Sequence, residues 1–149
     1  MIPTRRVTVG NGALAYREKG SGEPLLLLHS GFIADGMLPL LDQPLLQDHR
    51  MIAYYRRGYG NSDPSGGSRS ISLAAQDAFG LLDVLGVEQA HLAGHSMGAV
   101  VAIEMALTQP PRVTSLTLME PSLGFRVGAG GCAVRDRHCA GCVALVCRW

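Results

Sequence analysis

Short apolar runs and helical patterns alternate between residues 24 and 119, and this alternation restricts the fold more than any other feature. Residues 24–28 form a continuous apolar run, which is typical of a strand buried on both faces of a sheet. Further strands are predicted at residues 51–55, 90–93 and 113–119. Because helical patterns separate the later strands, the sequence predicts an α/β fold with a mostly parallel sheet.

Two helices and a hairpin complete this prediction. From Ser72 onward apolar residues recur on one helical face, and Gly86 supplies a stop. A second helix is predicted over residues 97–109, where two prolines end it. At the start of the chain, Asn11-Gly12 lies between two strand-like segments, and this dipeptide favours a type I′ turn. The sheet is therefore expected to begin with an antiparallel hairpin.

The composition changes near Phe125. The 149 residues are enough for one core, and we expect residues 1–125 to form the domain. Residues 126–149 contain four each of Gly, Ala, Arg and Cys, and no regular apolar period, so an irregular tail is expected there. Such a composition is also typical of a GC-rich coding strand read in a shifted frame.

Charge and hydropathy exclude several classes of partner. The net charge is +1 and no basic stripe occurs, so neither nucleic acid nor an acidic membrane surface is an expected partner. No apolar run approaches the roughly 18 residues of a membrane span, and the first residues lack the apolar core of a leader. The first 131 residues contain no cysteine, which suits a reducing compartment. We therefore expect a cytoplasmic location.

The segment Gly94-His95-Ser96-Met97-Gly98 fits the pattern G-x-S-x-G between a predicted strand and a predicted helix. In that context the serine lies on a sharp turn with its hydroxyl above the sheet, and the glycines let strand and helix approach closely. Ser96 is therefore the candidate nucleophile. The N–H of Met97, at the helix start, is a candidate donor to an oxyanion.

Two other loops support this interpretation. His29-Ser30-Gly31 follows the apolar strand, and residues 57–63 read Arg-Gly-Tyr-Gly-Asn-Ser-Asp. With the serine motif, these segments resemble the N-terminal half of α/β-hydrolases of the esterase, haloperoxidase and C–C hydrolase kind. The resemblance covers roughly residues 1–125 and departs from the family at Ser30, where glycine is usual. It implies a second oxyanion donor at Gly31 or Phe32, a small ester or related carbonyl compound as substrate, and neither metal nor cofactor.

The rest of the family's catalytic machinery is harder to find. In the family an acid and then a histidine follow the nucleophile, but only His138, in the tail, follows Ser96. Glu120, at the end of a predicted strand, is either the acid or a carboxylate without a catalytic role. We therefore expect a truncated hydrolase that is weakly active or inactive. The alternative is a non-catalytic fragment that self-associates through an exposed sheet edge at residues 113–119.

The remaining polar residues have simpler interpretations. His95 is expected to point away from the Ser96 hydroxyl, and His29 to anchor its loop. Arg57 and Asp63 are expected to brace their loop as a pair, the alternative being that they bind the substrate. His49 and His91, at the opposite end of the sheet, are assigned no chemistry. A third interpretation is a tail stabilised by zinc, with ligands drawn from Cys132, Cys139, Cys142, Cys147 and His138. The tail has only one C-x₂-C pair, however, and lacks the second pair that is typical of such zinc sites.

Overall fold

A computed structural model describes residues 2–66 and 70–122, together with the backbone of residues 144–148. Its centre is one mixed sheet in the order β1-β2-β4-β3-β5-β6-β7. The strands are β1 Arg5–Val9, β2 Gly12–Lys19, β3 Glu23–Leu28, β4 His49–Tyr54, β5 Ala90–His95, β6 Val113–Met119 and β7 Ala144–Arg148.

The sheet has a parallel centre and antiparallel flanks. Strands β4, β3, β5 and β6 run parallel, while β1 and β2 form the predicted hairpin, with β2 antiparallel to β4. The α/β fold and its N-terminal hairpin are thus confirmed. All four parallel strands end at the same edge of the sheet, so the loops after them lie together.

Two helices cover one face of the sheet. They are α1 Ile71–Val84 and α2 Met97–Thr108, each within two residues of its predicted bounds. Ser70 caps α1, since its hydroxyl accepts a hydrogen bond from the Leu73 N–H. The opposite face is covered by a 3-10 helix, Ala34–Asp42, which packs Met37 and Leu41 against the sheet. Two shorter 3-10 helices span Pro44–Leu46 and Pro110–Arg112.

The apolar run in β3 is buried on both faces, as predicted. Leu26 and Leu28 pack under the two α-helices, whereas Leu25 and Leu27 pack under the 3-10 helix. Each of the four is at most 9% exposed. This burial fixes β3 in the centre of the sheet, so the loop after it lies between the loops after β4 and β5.

The expected open edge at Val113–Met119 is wrong. β7 pairs antiparallel with β6 from Ser115 opposite Arg148 to Met119 opposite Ala144. Its backbone occupies the hydrogen-bonding groups on which the predicted self-association depended. The composition of the tail did not indicate this strand at Ala144–Arg148. His138 and the cysteines at 132, 139 and 142 lie outside the described residues, so the zinc reading is not examined by the structure.

Among the residues that the structure describes, no helix has the length and apolarity required to span a membrane.

Candidate active site

Ser96 lies at the junction between β5 and α2, with an unusual backbone conformation. Its φ is 53° and its ψ is −115°, and among the described non-glycine residues only Glu120 shares the positive φ. A residue other than glycine in this region is strained by about 1–3 kcal/mol, and such strain persists only where the surroundings enforce it. The backbone therefore forms the sharp turn that the G-x-S-x-G pattern predicts.

The two glycines of the motif permit this turn by close packing. A Cβ atom on Gly98 would lie 2.1 Å from the carbonyl oxygen of Leu28, and one on Gly94 would lie 2.5 Å from that of Gly98. The Ser96 N–H also donates to the Met119 carbonyl oxygen at 2.9 Å. Strand, turn and helix are thus in backbone contact on several sides, so any side chain at either glycine would force them apart.

The loop after β3 lies against the start of α2. A Cβ on Gly31 would be 3.6 Å from the Cβ of Met97, so these two candidate donors of the sequence analysis are neighbours. The Gly31 carbonyl accepts a hydrogen bond from the Tyr59 hydroxyl at 2.8 Å. Ser30, the departure from the family pattern, accepts the Ile33 N–H with its hydroxyl at 3.0 Å. The loop is therefore held by side chains on both flanks.

His29 anchors this loop, as predicted. Its ring is buried, and its Nε2 accepts the Arg56 backbone N–H at 3.1 Å. The proton of the neutral ring must then lie on Nδ1, which donates to the Ser30 carbonyl at 2.6 Å. Burial, together with the positive charge of Arg56, lowers the pKa of His29 to about 4. The ring is therefore neutral at physiological pH.

A cavity of about 330 Å³ opens beside these loops. Its lining includes Ser96, Met97, Gly31, Phe32 and the arginines of the loop after β4. The volume is at the lower end of the range for small-molecule pockets. The structure thus brings the three candidate site residues of the sequence to one cavity.

The arginine and aspartate of that loop do not pair with each other, which corrects one expectation. Arg57 instead binds Asp77 of α1, with its Nε and Nη2 at 2.7 and 2.9 Å from the two carboxylate oxygens. Asp63 accepts the Ala13 N–H at 2.8 Å and pairs with Arg6. Both side chains brace the loop, but each does so against a different part of the fold.

Two contacts around Ser96 were missed by the sequence analysis. The Ser96 hydroxyl lies 2.7 Å from that of Ser122, which also lines the cavity. The His95 Nε2 lies 3.3 Å from the Glu120 carboxylate, and no hydrogen bond joins this ring to the Ser96 hydroxyl among the described residues. Residues 120–122 follow β6 directly, and the neighbouring ends of β5 and β6 explain these contacts. No pattern in the sequence indicates them.

The opposite end of the sheet holds His49 and His91, as predicted. The His91 ring lies between the Ser115 hydroxyl, 2.7 Å from Nδ1, and the Glu23 carboxylate, 3.0 Å from Nε2. The His49 ring is centred 5.8 Å away. Neither the cavity beside Ser96 nor a second one, lined by Val87 and Arg112, is lined by these histidines.

Comparisons with known proteins identify the family of this chain. A profile described as the alpha/beta hydrolase fold matches residues 24–129, four residues beyond the predicted domain boundary. The chain is 38% identical over 110 residues to a putative carbamate hydrolase, RutD, of Azorhizobium caulinodans, covering 74% of this chain and 42% of the relative. It is 41% identical over 116 residues to a 2-hydroxy-6-oxononadienedioate/2-hydroxy-6-oxononatrienedioate hydrolase of Paraburkholderia phymatum, covering 73% and 40%.

Solved structures are similar as well. Est816, described as an N-acyl homoserine lactone degrading enzyme, superposes with a TM-score of 0.71 at 29% identity, covering 77% of this chain and 44% of its own. The epoxide hydrolase VrEH1 from Vigna radiata gives 0.69 at 28% identity, covering 78% and 39%. The chain thus spans about two fifths of the length of the relatives it matches.

Proposed function

Because the chain belongs to the α/β-hydrolase fold family, we propose that Ser96 is a nucleophile that attacks small esters or related carbonyl compounds. The observation that carries the proposal is the strained Ser96 backbone, with φ 53°, at the junction of β5 and α2 on the wall of a cavity. A structural turn would accommodate glycine there without strain. A strained serine facing a cavity is what a nucleophile at a strand–helix turn requires.

The proposed oxyanion hole consists of the backbone N–H groups of Met97 and Gly31, with Phe32 as the alternative to Gly31. Met97 is the first residue of α2, and the N–H groups of a first turn have no partner within the helix. Arg56 holds the peptide between Ser30 and Gly31, because its Nη2 donates a hydrogen bond of 2.8 Å to the carbonyl oxygen of that peptide. A held peptide keeps its N–H in place before charge develops on the substrate.

The proposed reaction passes through an acyl-enzyme. The Ser96 Oγ forms a bond to the carbonyl carbon, the bond to the alcohol breaks, and water then releases the acid. The base that the family resemblance implies would come after Ser96, and the sequence offers only His138, outside the described residues. We propose that the Ser96 proton passes to water instead, and that water supplies the proton for the departing alkoxide. Attack by Ser96 is then slow, because only the oxyanion donors and substrate binding assist it.

Hydrolysis of p-nitrophenyl acetate tests the proposal. We expect slow release of p-nitrophenol above the buffer rate, abolished in Ser96→Ala and retained in Ser21→Ala, which alters an exposed serine before β3. A rate unaffected by Ser96→Ala would contradict the nucleophile. Rapid hydrolysis that depends on Ser96 would contradict the slow reaction and implicate His138, which a His138→Ala variant would then test.

A further inference from the structure

Arg56 is a buried cation in the wall of the candidate cavity. The residue is 7% exposed, and it lines the cavity together with Gly31, Ser96 and Met97. Its guanidinium carbon lies 5.1 Å from the centre of the Tyr59 ring. Since arginine does not lose its proton in proteins, the charge persists in this position.

The guanidinium is only partly satisfied by the described residues. Nη2 donates to the carbonyl oxygens of His29 and Ser30 at 3.2 and 2.8 Å. Nε is buried without a partner, and Nη1 makes no hydrogen bond within residues 2–66 and 70–122. Arg56 lines the cavity, so the unsatisfied part of its guanidinium lies close to any ligand bound there.

No carboxylate neutralises this charge within the described part of the chain. The neighbouring arginine, Arg57, pairs with Asp77, and these two charges compensate each other. None of the described ion pairs includes Arg56. A buried charge without a counterion is costly, and an anion in the cavity would recover part of that cost.

We infer that Arg56 binds a carboxylate on the ligand, and that the cavity beside Ser96 therefore selects small carboxylate-bearing esters. The inference rests on the proposed function for the identity of the reacting group. The binding of the carboxylate itself does not depend on catalysis. The cavity, about 330 Å³, has room for a short acid that also carries an ester.

Two ligands of similar size and different charge separate the effect of charge on affinity from the effect of shape. Monomethyl succinate carries one carboxylate and one ester, whereas dimethyl succinate carries two esters and no charge. Their dissociation constants would be measured by calorimetry with Ser96→Ala, which prevents acylation. We expect the monoester to bind roughly tenfold more tightly or better, since only its carboxylate can accept a charge-assisted hydrogen bond from Arg56.

Variants of the arginine complete the test. Arg56→Gln should remove the preference for the charged ligand and Arg56→Lys should retain part of it, while the exposed control Arg5→Gln should leave it unchanged. A circular dichroism melt verifies that each variant is folded. Arg56 also holds the loop after β3, so Arg56→Gln can fail to fold. In that case the inference is tested by the affinities of the two esters for the protein with Arg56 intact.

Equal affinities for the two ligands, with Arg56 intact, would overturn the inference. A preference that persists in folded Arg56→Gln would also overturn it. If the charged ligand is preferred but p-nitrophenyl acetate hydrolysis does not depend on Ser96, the carboxylate site stands and the proposed function fails. If hydrolysis depends on Ser96 but the charged ligand is not preferred, the proposed function stands and the carboxylate site fails.

Discussion

Gly98→Ala should strongly destabilise the fold, because the added methyl group meets the backbone of two consecutive residues at the end of β3. Its Cβ would lie 2.1 Å from the Leu28 carbonyl oxygen and 2.6 Å from that of His29. Real Cβ contacts essentially never fall under 3.0 Å, so α2 and β3 would have to separate by about 0.9 Å, the difference between 3.0 and 2.1 Å. Central strands and a packed helix do not yield as a flexible side chain does.

The expected cost is about 3 kcal/mol, at the upper end for overpacking, because backbone opposes the group. For a domain near 150 residues, this corresponds to a fall in Tm of about 6–12 °C. Thermal unfolding followed by circular dichroism measures the change. The matched control is Gly36→Ala, whose Cβ would meet Ile33 Cγ2 at 3.4 Å, and its Tm should stay within about 2 °C of the wild type. A Gly98→Ala variant as stable as that control would refute the packing argument.

Two further predictions concern charges in the loops around the site. The folded pKa of His29 is about 4 and its ordinary value is 6.5, so the unfolded chain binds more protons between these values, and stability should fall as pH falls from about 6.5 to 4. Urea melts at pH 7 and pH 4 give the free energy of unfolding of each protein. Between these pH values the wild type should lose up to about 3 kcal/mol more of it than His29→Gln does. Equal losses in the two proteins would contradict the buried neutral ring. Asp77→Asn should cost about 3 kcal/mol, because it leaves the charge of Arg57 without its partner, whereas Asp42→Asn, in an exposed pair with Lys19, should change the free energy of unfolding by less than about 1 kcal/mol. Similar losses in both variants would show that burial does not distinguish the two pairs.

Local patterns predicted the elements and the serine turn. The continuous run at residues 24–28 identified a strand buried on both faces, because an exposed face would have required alternating polar residues. Gly94 and Gly98 flank Ser96 at the spacing that is typical of a sharp turn between a strand and a helix. These features act over a few residues, so the sequence displays them directly.

Contacts between distant segments could not be predicted in the same way. Arg57 has carboxylates six and 20 positions away, and only the packing of α1 against the sheet selects Asp77. Ser122 meets Ser96 because β5 and β6 are neighbours, which the strand order decides. The pairing of β7 with β6 likewise follows from a chain path that has no local signature.

Covalent capture of Ser96 tests the central claim most directly. The chain would be incubated with p-nitrophenyl acetate at neutral pH, and intact mass followed by peptide mapping would locate any acetyl group. The account predicts one acetyl group on the peptide that contains Ser96, absent from Ser96→Ala and present in Ser21→Ala. Acetylation at other residues with none on Ser96, or an unmodified chain after complete consumption of the ester, would contradict it.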